Sequence, residues 1–174
     1  MNFEPFPYLK TERLLLRKLE FEDQNMIKIL RSHPEVNRYI KRDPPSMDEA
    51  IQFIERIHSG LREGISVLWV ISDKQSEQFM GTLCLWNFSE DGKTGEVGYD
   101  LLPEFQGNGI MSEAITSILT YGFNELKLER IEAYTHFENK ASLNLLAKFG
   151  FDPDMGKQDP ENPNNRIYFL LNTP

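Results

Sequence analysis

The stretch best equipped for chemistry is Leu101-Leu102-Pro103-Glu104-Phe105-Gln106-Gly107-Asn108-Gly109-Ile110-Met111-Ser112-Glu113-Ala114, an extended apolar segment that turns through two glycines into a long amphipathic helix. Glycines let a backbone approach a ligand closely, and the first amides of a helix lack internal partners and carry the positive end of its dipole. That combination binds anions, phosphate above all. The same glycines would also serve an ordinary strand-to-helix turn. Two phosphate loops are excluded. Ser112 stands where the dinucleotide fingerprint needs its third glycine, and no lysine follows the glycines as a P-loop requires.

Other chemistry is thinly provided. His33, His58 and His136 show no ligand spacing among themselves or with Cys84, so no metal site is expected. No Gly-x-Ser-x-Gly elbow offers a nucleophilic serine. Cys84, the sole cysteine, lies in an apolar run without an electropositive neighbour and reads as core. It cannot form an internal disulfide, which suits a reducing, cytoplasmic compartment.

The elements that must hold the loop follow from periodicity. Strand patterns cover Arg13 to Leu19, Ile65 to Ser72, Phe79 to Phe88, Thr94 to Leu102, Leu128 to Phe137, a short stretch from Phe151, and Arg166 to Leu171. Helical spacing marks Asp23 to Arg31, a segment opened by the capping box Ser46 and Glu49, Gly109 to Leu126, and Asn139 to Phe149. The predicted order is β, α, α, β, β, β, α, β, α, β, β. It specifies an α/β (α+β) fold with a mixed, mostly antiparallel sheet of about seven strands flanked by four helices. The strands on either side of the third helix should be parallel, joined by a right-handed crossover. The last strand could lie at a sheet edge, where a second copy would make a homo-oligomer, or in the interior.

The chain has 174 residues, 40% of them hydrophobic and 26% charged, which fits one domain spanning residues 1 to 174. A net charge of -8 argues against nucleic acid as the partner; it could steer a cationic acceptor, a basic protein or a polyamine, or serve solubility alone. No apolar run is long enough to cross a bilayer, and the amino-terminal residues lack a signal-peptide pattern.

The run from Gln106 resembles the acyl-CoA-binding signature of the GNAT acetyltransferases, Gln/Arg-x-x-Gly-x-Gly/Ala, with Gln106 first, Gly109 fourth and Met111 in the sixth place, where glycine or alanine is usual. Gly95-Glu96-Val97-Gly98-Tyr99, Glu138-Asn139-Lys140-Ala141-Ser142, Lys148-Phe149-Gly150-Phe151 and the opening Lys10-Thr11-Glu12-Arg13-Leu14-Leu15-Leu16-Arg17 resemble the ribosomal-protein-alanine N-acetyltransferase branch, so the likeness covers nearly the whole chain.

The resemblance implies acetyl-CoA as cosubstrate. Backbone at Leu101 and Leu102 would pair with the pantetheine arm, and Gly107, Asn108, Gly109, Ile110, Met111 and Ser112 would hold the pyrophosphate. Asn139 and Ser142 would face the same arm, although Asn139 is equally suited to cap its helix. Acetyl transfer to an amine needs a base and a proton for the departing thiolate. Glu96 is the candidate base and Ser142 the candidate acid; Tyr134 has no specific support. The acceptor implied is a protein N-terminal α-amine, with a small-molecule amine or a non-catalytic CoA-binding sensor as the alternatives.

Overall fold

The computed structural model describes residues 1–172. In chain order the elements are β1 (Leu9–Lys10), β2 (Leu14–Lys18), α1 (Gln24–Ser32), α2 (Met47–Arg62), β3 (Val67–Asp73), β4 (Phe79–Trp86), β5 (Thr94–Leu101), α3 (Ile110–Asn124), β6 (Arg130–His136), α4 (Lys140–Lys148), β7 (Asp152–Pro153) and β8 (Asn165–Leu171). The two-residue β1 is the strand that periodicity did not predict, being too short to carry a period.

One sheet runs in the order β1-β2-β3-β4-β5-β6-β8-β7. β3 is buried on both faces, which is why its sequence is an unbroken apolar run. Its Val67, Trp69 and Ile71 join the core beneath α3, while Leu68 and Val70 join the core beneath α1 and α2. α2 opens with the capping box: Glu49 N donates to Ser46 Oγ at 3.2 Å and Ser46 N to Glu49 Oε2 at 2.7 Å. It turns Ala50 and Ile54 inward, both fully buried.

α3 carries the widest apolar stripe, with Ile110, Met111, Ala114, Ile115, Ile118, Leu119 and Gly122 buried. It packs so closely on β6 that a Cβ at Gly122 would come within 2.9 Å of Ile131 Cδ1. β8 lies between β6 and β7, so the last strand is interior to the sheet.

All neighbouring strands are antiparallel except β5 and β6. That parallel pairing covers only Thr94 with Arg130, Gly95 with Ile131 and Glu96 with Glu132. Beyond Glu96 the two strands part, leaving one edge of β5 without a strand neighbour in the middle of the sheet.

Ile118 lies fully buried at the centre of the α3 stripe. Ile118→Ala should lower unfolding stability by about 2–5 kcal/mol, read as a shift of the urea midpoint with an unchanged slope.

Candidate active site

Along β5 the side chains alternate. Val97, Tyr99 and Leu101 pack toward α3 and α4, so Glu96, Gly98 and Asp100 project to the opposite face, where Asp100 meets the α1–α2 connection. Glu96 stands on the last paired position before the strands diverge. It is 8% exposed, and Asn87 Nδ2 donates to its Oε2 at 3.1 Å.

The ordinary fate of a strand carboxylate is an ion pair. Among the described residues Glu96 has none. The nearby cations are spent on its neighbour Glu132, which accepts from both Arg130 Nε and Lys157 Nζ at 2.6 Å. Burial therefore raises the Glu96 carboxyl from 4.5 to about 7; the Asn87 bond opposes the rise, and the charges of Glu132 and Asp159 add to it. A carboxyl that titrates near neutrality is matched to taking a proton there.

On the other side of the gap, Ser142 is buried in the first turn of α4 with its Oγ 2.6 Å from the Tyr99 hydroxyl. Burial raises the Tyr99 phenol above its ordinary value, against the Ser142 bond, so the pair stays neutral and able to donate. Asn139 caps α4, its Oδ1 accepting from Ser142 N at 3.2 Å. The cap holds Ser142 in place. Tyr134, by contrast, enters no such hydroxyl pair among the described residues; its phenol neighbours the Glu132 carboxylate.

The glycine loop forms as its composition requires. Gly107 and Gly109 both adopt φ +76°, and Gly109 is the N-cap residue of α3. No side chain caps this helix, so its first amides remain available to an anion. Ser112 Oγ takes a bond from Lys148 Nζ at 3.1 Å, which brings an exposed ammonium from the last turn of α4 to the same place. Met111 is 9% exposed and belongs to the core, so its bulk points inward and leaves only its backbone at the cradle.

Two contacts set the approach to the cradle. Leu102 N donates to Met80 on β4 at 2.9 Å, so the alternation of an antiparallel ladder turns the polar groups of Leu101 toward the open edge. There Gln106 Nε2 donates to Leu101 O at 3.0 Å. Behind the loop, Arg13 Nε meets Glu113 Oε2 at 2.7 Å, Arg13 Nη1 meets Asn108 O at 3.0 Å, and Thr11 Oγ1 meets Glu113 Oε1 at 2.5 Å.

The face that carries Glu96 is roofed by the α1–α2 connection, which is tied to both arms of the gap. Arg42 pairs with Asp100 on β5 at 3.1 Å, and Tyr39 stacks on His136 of β6 with centroids 5.1 Å apart. Trp86, beside Glu96 in register, is 46% exposed on this face, whereas Trp69 is fully buried core. Burial pushes the Cys84 thiol up to about 12, with Asp100 and Glu96 adding to the effect, so it holds its proton and is no nucleophile. Among the described residues no group of three His, Cys, Asp or Glu converges on a metal position, and no helix is long and apolar enough to cross a membrane.

An acetyltransferase (GNAT) domain profile matches residues 13–152. The chain belongs to the GNAT acetyltransferase family. It is 34% identical to the uncharacterized N-acetyltransferase p20 of Bacillus licheniformis over 160 residues, covering 91% of this chain and 90% of that one. Identity to the uncharacterized N-acetyltransferase YoaA of Bacillus subtilis is 33% over 150 residues, covering 86% and 85%. The fold is shared with RimL, a ribosomal L7/L12 α-N-protein acetyltransferase solved with coenzyme A, at TM-score 0.83, 17% identity and coverage of 95% and 98%.

The protein is an acetyl-CoA-dependent N-acetyltransferase, and its residues fit that cosubstrate. The free α3 amides and Lys148 would hold pyrophosphate, and the unpaired edge at Leu101 would meet the amide-bearing arm. The cosubstrate supplies an acyl group activated as a thioester. The structure adds Tyr99, Lys148 and the Arg13–Glu113 clasp to the candidate site, where sequence reasoning did not place them. Tyr99 left a signal in alternation, since it lies three residues past Glu96 and so on the opposite face, while Arg13 and Lys148 lie in stretches that carry the family resemblance.

The native state binds the Glu96 proton more tightly than the unfolded chain, so this group stabilises the fold below pH 4.5 and the contribution is lost as pH rises through about 7. Glu96→Gln should thus gain up to roughly 3 kcal/mol at pH 8 and nothing at pH 4, compared by urea unfolding at the two pH values. Lys148→Gln should weaken CoA binding about tenfold by calorimetry, with stability unchanged.

Proposed function

We propose that the protein transfers acetyl directly from acetyl-CoA to the α-amine at a protein N-terminus, within a ternary complex. The observation that carries this reading is the placement of Glu96 and the Ser142–Tyr99 pair on opposite faces of one gap. Glu96 takes a proton from the ammonium, directly or through a water. The neutral nitrogen attacks the carbonyl carbon, the C–S bond breaks, and the Ser142–Tyr99 pair hydrogen-bonds the departing sulfur and supplies its proton. The neutral thiol of the half-buried Cys84 argues against an acetyl-cysteine intermediate and for direct transfer.

An α-amine titrates near 7.7 to 8.0, so a useful fraction is already neutral when a base of pKa about 7 is ionised. A lysine acceptor would demand far more of that base. The α-N acetylation named for RimL, a structural neighbour, supports the same choice, and a reduced lone cysteine fits a cytoplasmic enzyme.

Thiol release from acetyl-CoA should depend on N-terminal peptides and be slower with N-acetylated peptides bearing lysine. Its kcat/KM should fall below pH 7 more steeply than protonation of the acceptor amine alone requires, and Glu96→Gln should leave only the amine's own limb near 7.7 to 8.0 while lowering kcat by about 10²-fold or more. Efficient release with free polyamines or amino sugars, and none with peptides, would sink the α-amine reading.

A further inference from the structure

Asn87 follows the last residue of β4 and breaks the alternation of that strand. Leu85 packs into the core beneath α3, and Trp86 stands in register with Glu96 on the opposite face. Regular alternation would return Asn87 to the core side and send Phe88 to the face of Glu96. The reverse is found. Asn87 Nδ2 reaches Glu96 Oε2 at 3.1 Å, while Phe88 packs against the core, its ring 6.0 Å from that of Phe3. Phe88 also covers Gly95, where a Cβ would come within 2.9 Å of its Cε1.

The inversion comes from the backbone. Asn87 adopts φ +48°, in the left-handed region where residues with a side chain are uncommon and asparagine is enriched. Reversal of the chain does not need this kink, because the turn from Ser89 to Thr94 is closed by its own bonds, Ser89 N to Thr94 O and Thr94 N to Ser89 Oγ, both at 2.9 Å. Seating Phe88 needs only the kink, which glycine would adopt more readily than asparagine. What glycine lacks is the amide that meets Glu96.

Glu132 and Tyr134 of β6, Asp159 of the loop before β8 and Cys84 of β4 also face this carboxyl, and Arg130 and Lys157 are held by Glu132. Burial favours its protonated form most, with Glu132 and Asp159 adding to that; Asn87 is the largest influence toward the ionised form, ahead of Trp86.

We propose that Asn87 is the positioning residue of the base: its amide fixes Oε2 of Glu96 and leaves Oε1 to the acceptor nitrogen. The inference rests on the reading of Glu96 as the base. Fixing one oxygen removes the rotamer freedom that would otherwise spread the second over several places, and proton transfer requires hydrogen-bond reach. An amide N–H also bonds a carboxylate more strongly than a carboxylic acid, so the contact that orients Glu96 makes its ionised form accessible near neutrality.

The test follows the Glu96 carboxyl by carbon-13 NMR, its signal assigned by its loss in Glu96→Gln, and in parallel the pH dependence of transfer to an N-terminal peptide. Wild type is compared with Asn87→Gly, which accepts the same turn and deletes the amide, and with Asn87→Asp, which keeps the shape and replaces the donor by an acceptor. Asn87→Gly should raise the Glu96 midpoint by about one pH unit and lower kcat about tenfold at about pH 9, above that midpoint, with the peptide KM unchanged. Asn87→Asp should raise the midpoint further, through like-charge repulsion. An Asn87→Gly midpoint equal to that of wild type would overturn the proposal, and so would a loss that falls on KM instead of kcat. If the midpoint moves while kcat and its pH profile stay those of wild type, Asn87 still holds Glu96, and it is the role of Glu96 as base that falls.

Discussion

A parallel ladder that holds for three residues and then opens is the constraint on which the rest of this molecule depends. An internal strand normally satisfies both edges, and leaving one bare in mid-sheet exposes backbone groups that must find partners elsewhere. Here the bare edge of β5 is bordered by side chains at two points, Gln106 at Leu101 and the Tyr99–Ser142 pair bridging to α4. The opening joins the two faces of the sheet. The split in the sheet is what would let the proposed base on one face serve the amine while the hydroxyl pair on the other serves the departing sulfur.

Charge is distributed around that opening with the same economy. Among the described residues two cations converge on Glu132 and none on Glu96, although the two carboxylates occupy facing positions. Had Lys157 reached the other carboxylate, Glu96 would be an ionised, low-pKa partner in a surface ion pair and a poor proton acceptor. The basicity of the candidate base is set first by its burial, and the loop before β8, which delivers its lysine to Glu132, leaves that burial without an opposing ion pair. It owes little to the immediate neighbours of Glu96 in sequence.

Local features of the fold were legible before any coordinates. The capping box at Ser46 and Glu49, the unbroken apolar run of β3 and the glycine turn into α3 are written in adjacent residues, and each formed where its pattern lies. Glu96, Asn139 and Ser142 could be named because motif resemblance carries long-range information that periodicity lacks. The contacts that complete the site had no such signal. Lys148 meets Ser112 across 36 residues, Tyr99 meets Ser142 across 43 and Arg42 meets Asp100 across 58. Met111 illustrates the same limit from the other side: its position in the motif is readable, but the direction of its side chain is a property of core packing.

The clasp of Thr11 and Arg13 on Glu113 joins parts of the chain about a hundred residues apart. Closing so long a loop costs entropy that only later contacts offset, so this junction belongs among the last to form. During synthesis the amino-terminal strand emerges first and must wait for α3 before it can dock. The cofactor cradle is thus shaped late in folding, and a chain that binds CoA has, by that fact, already brought its two halves together.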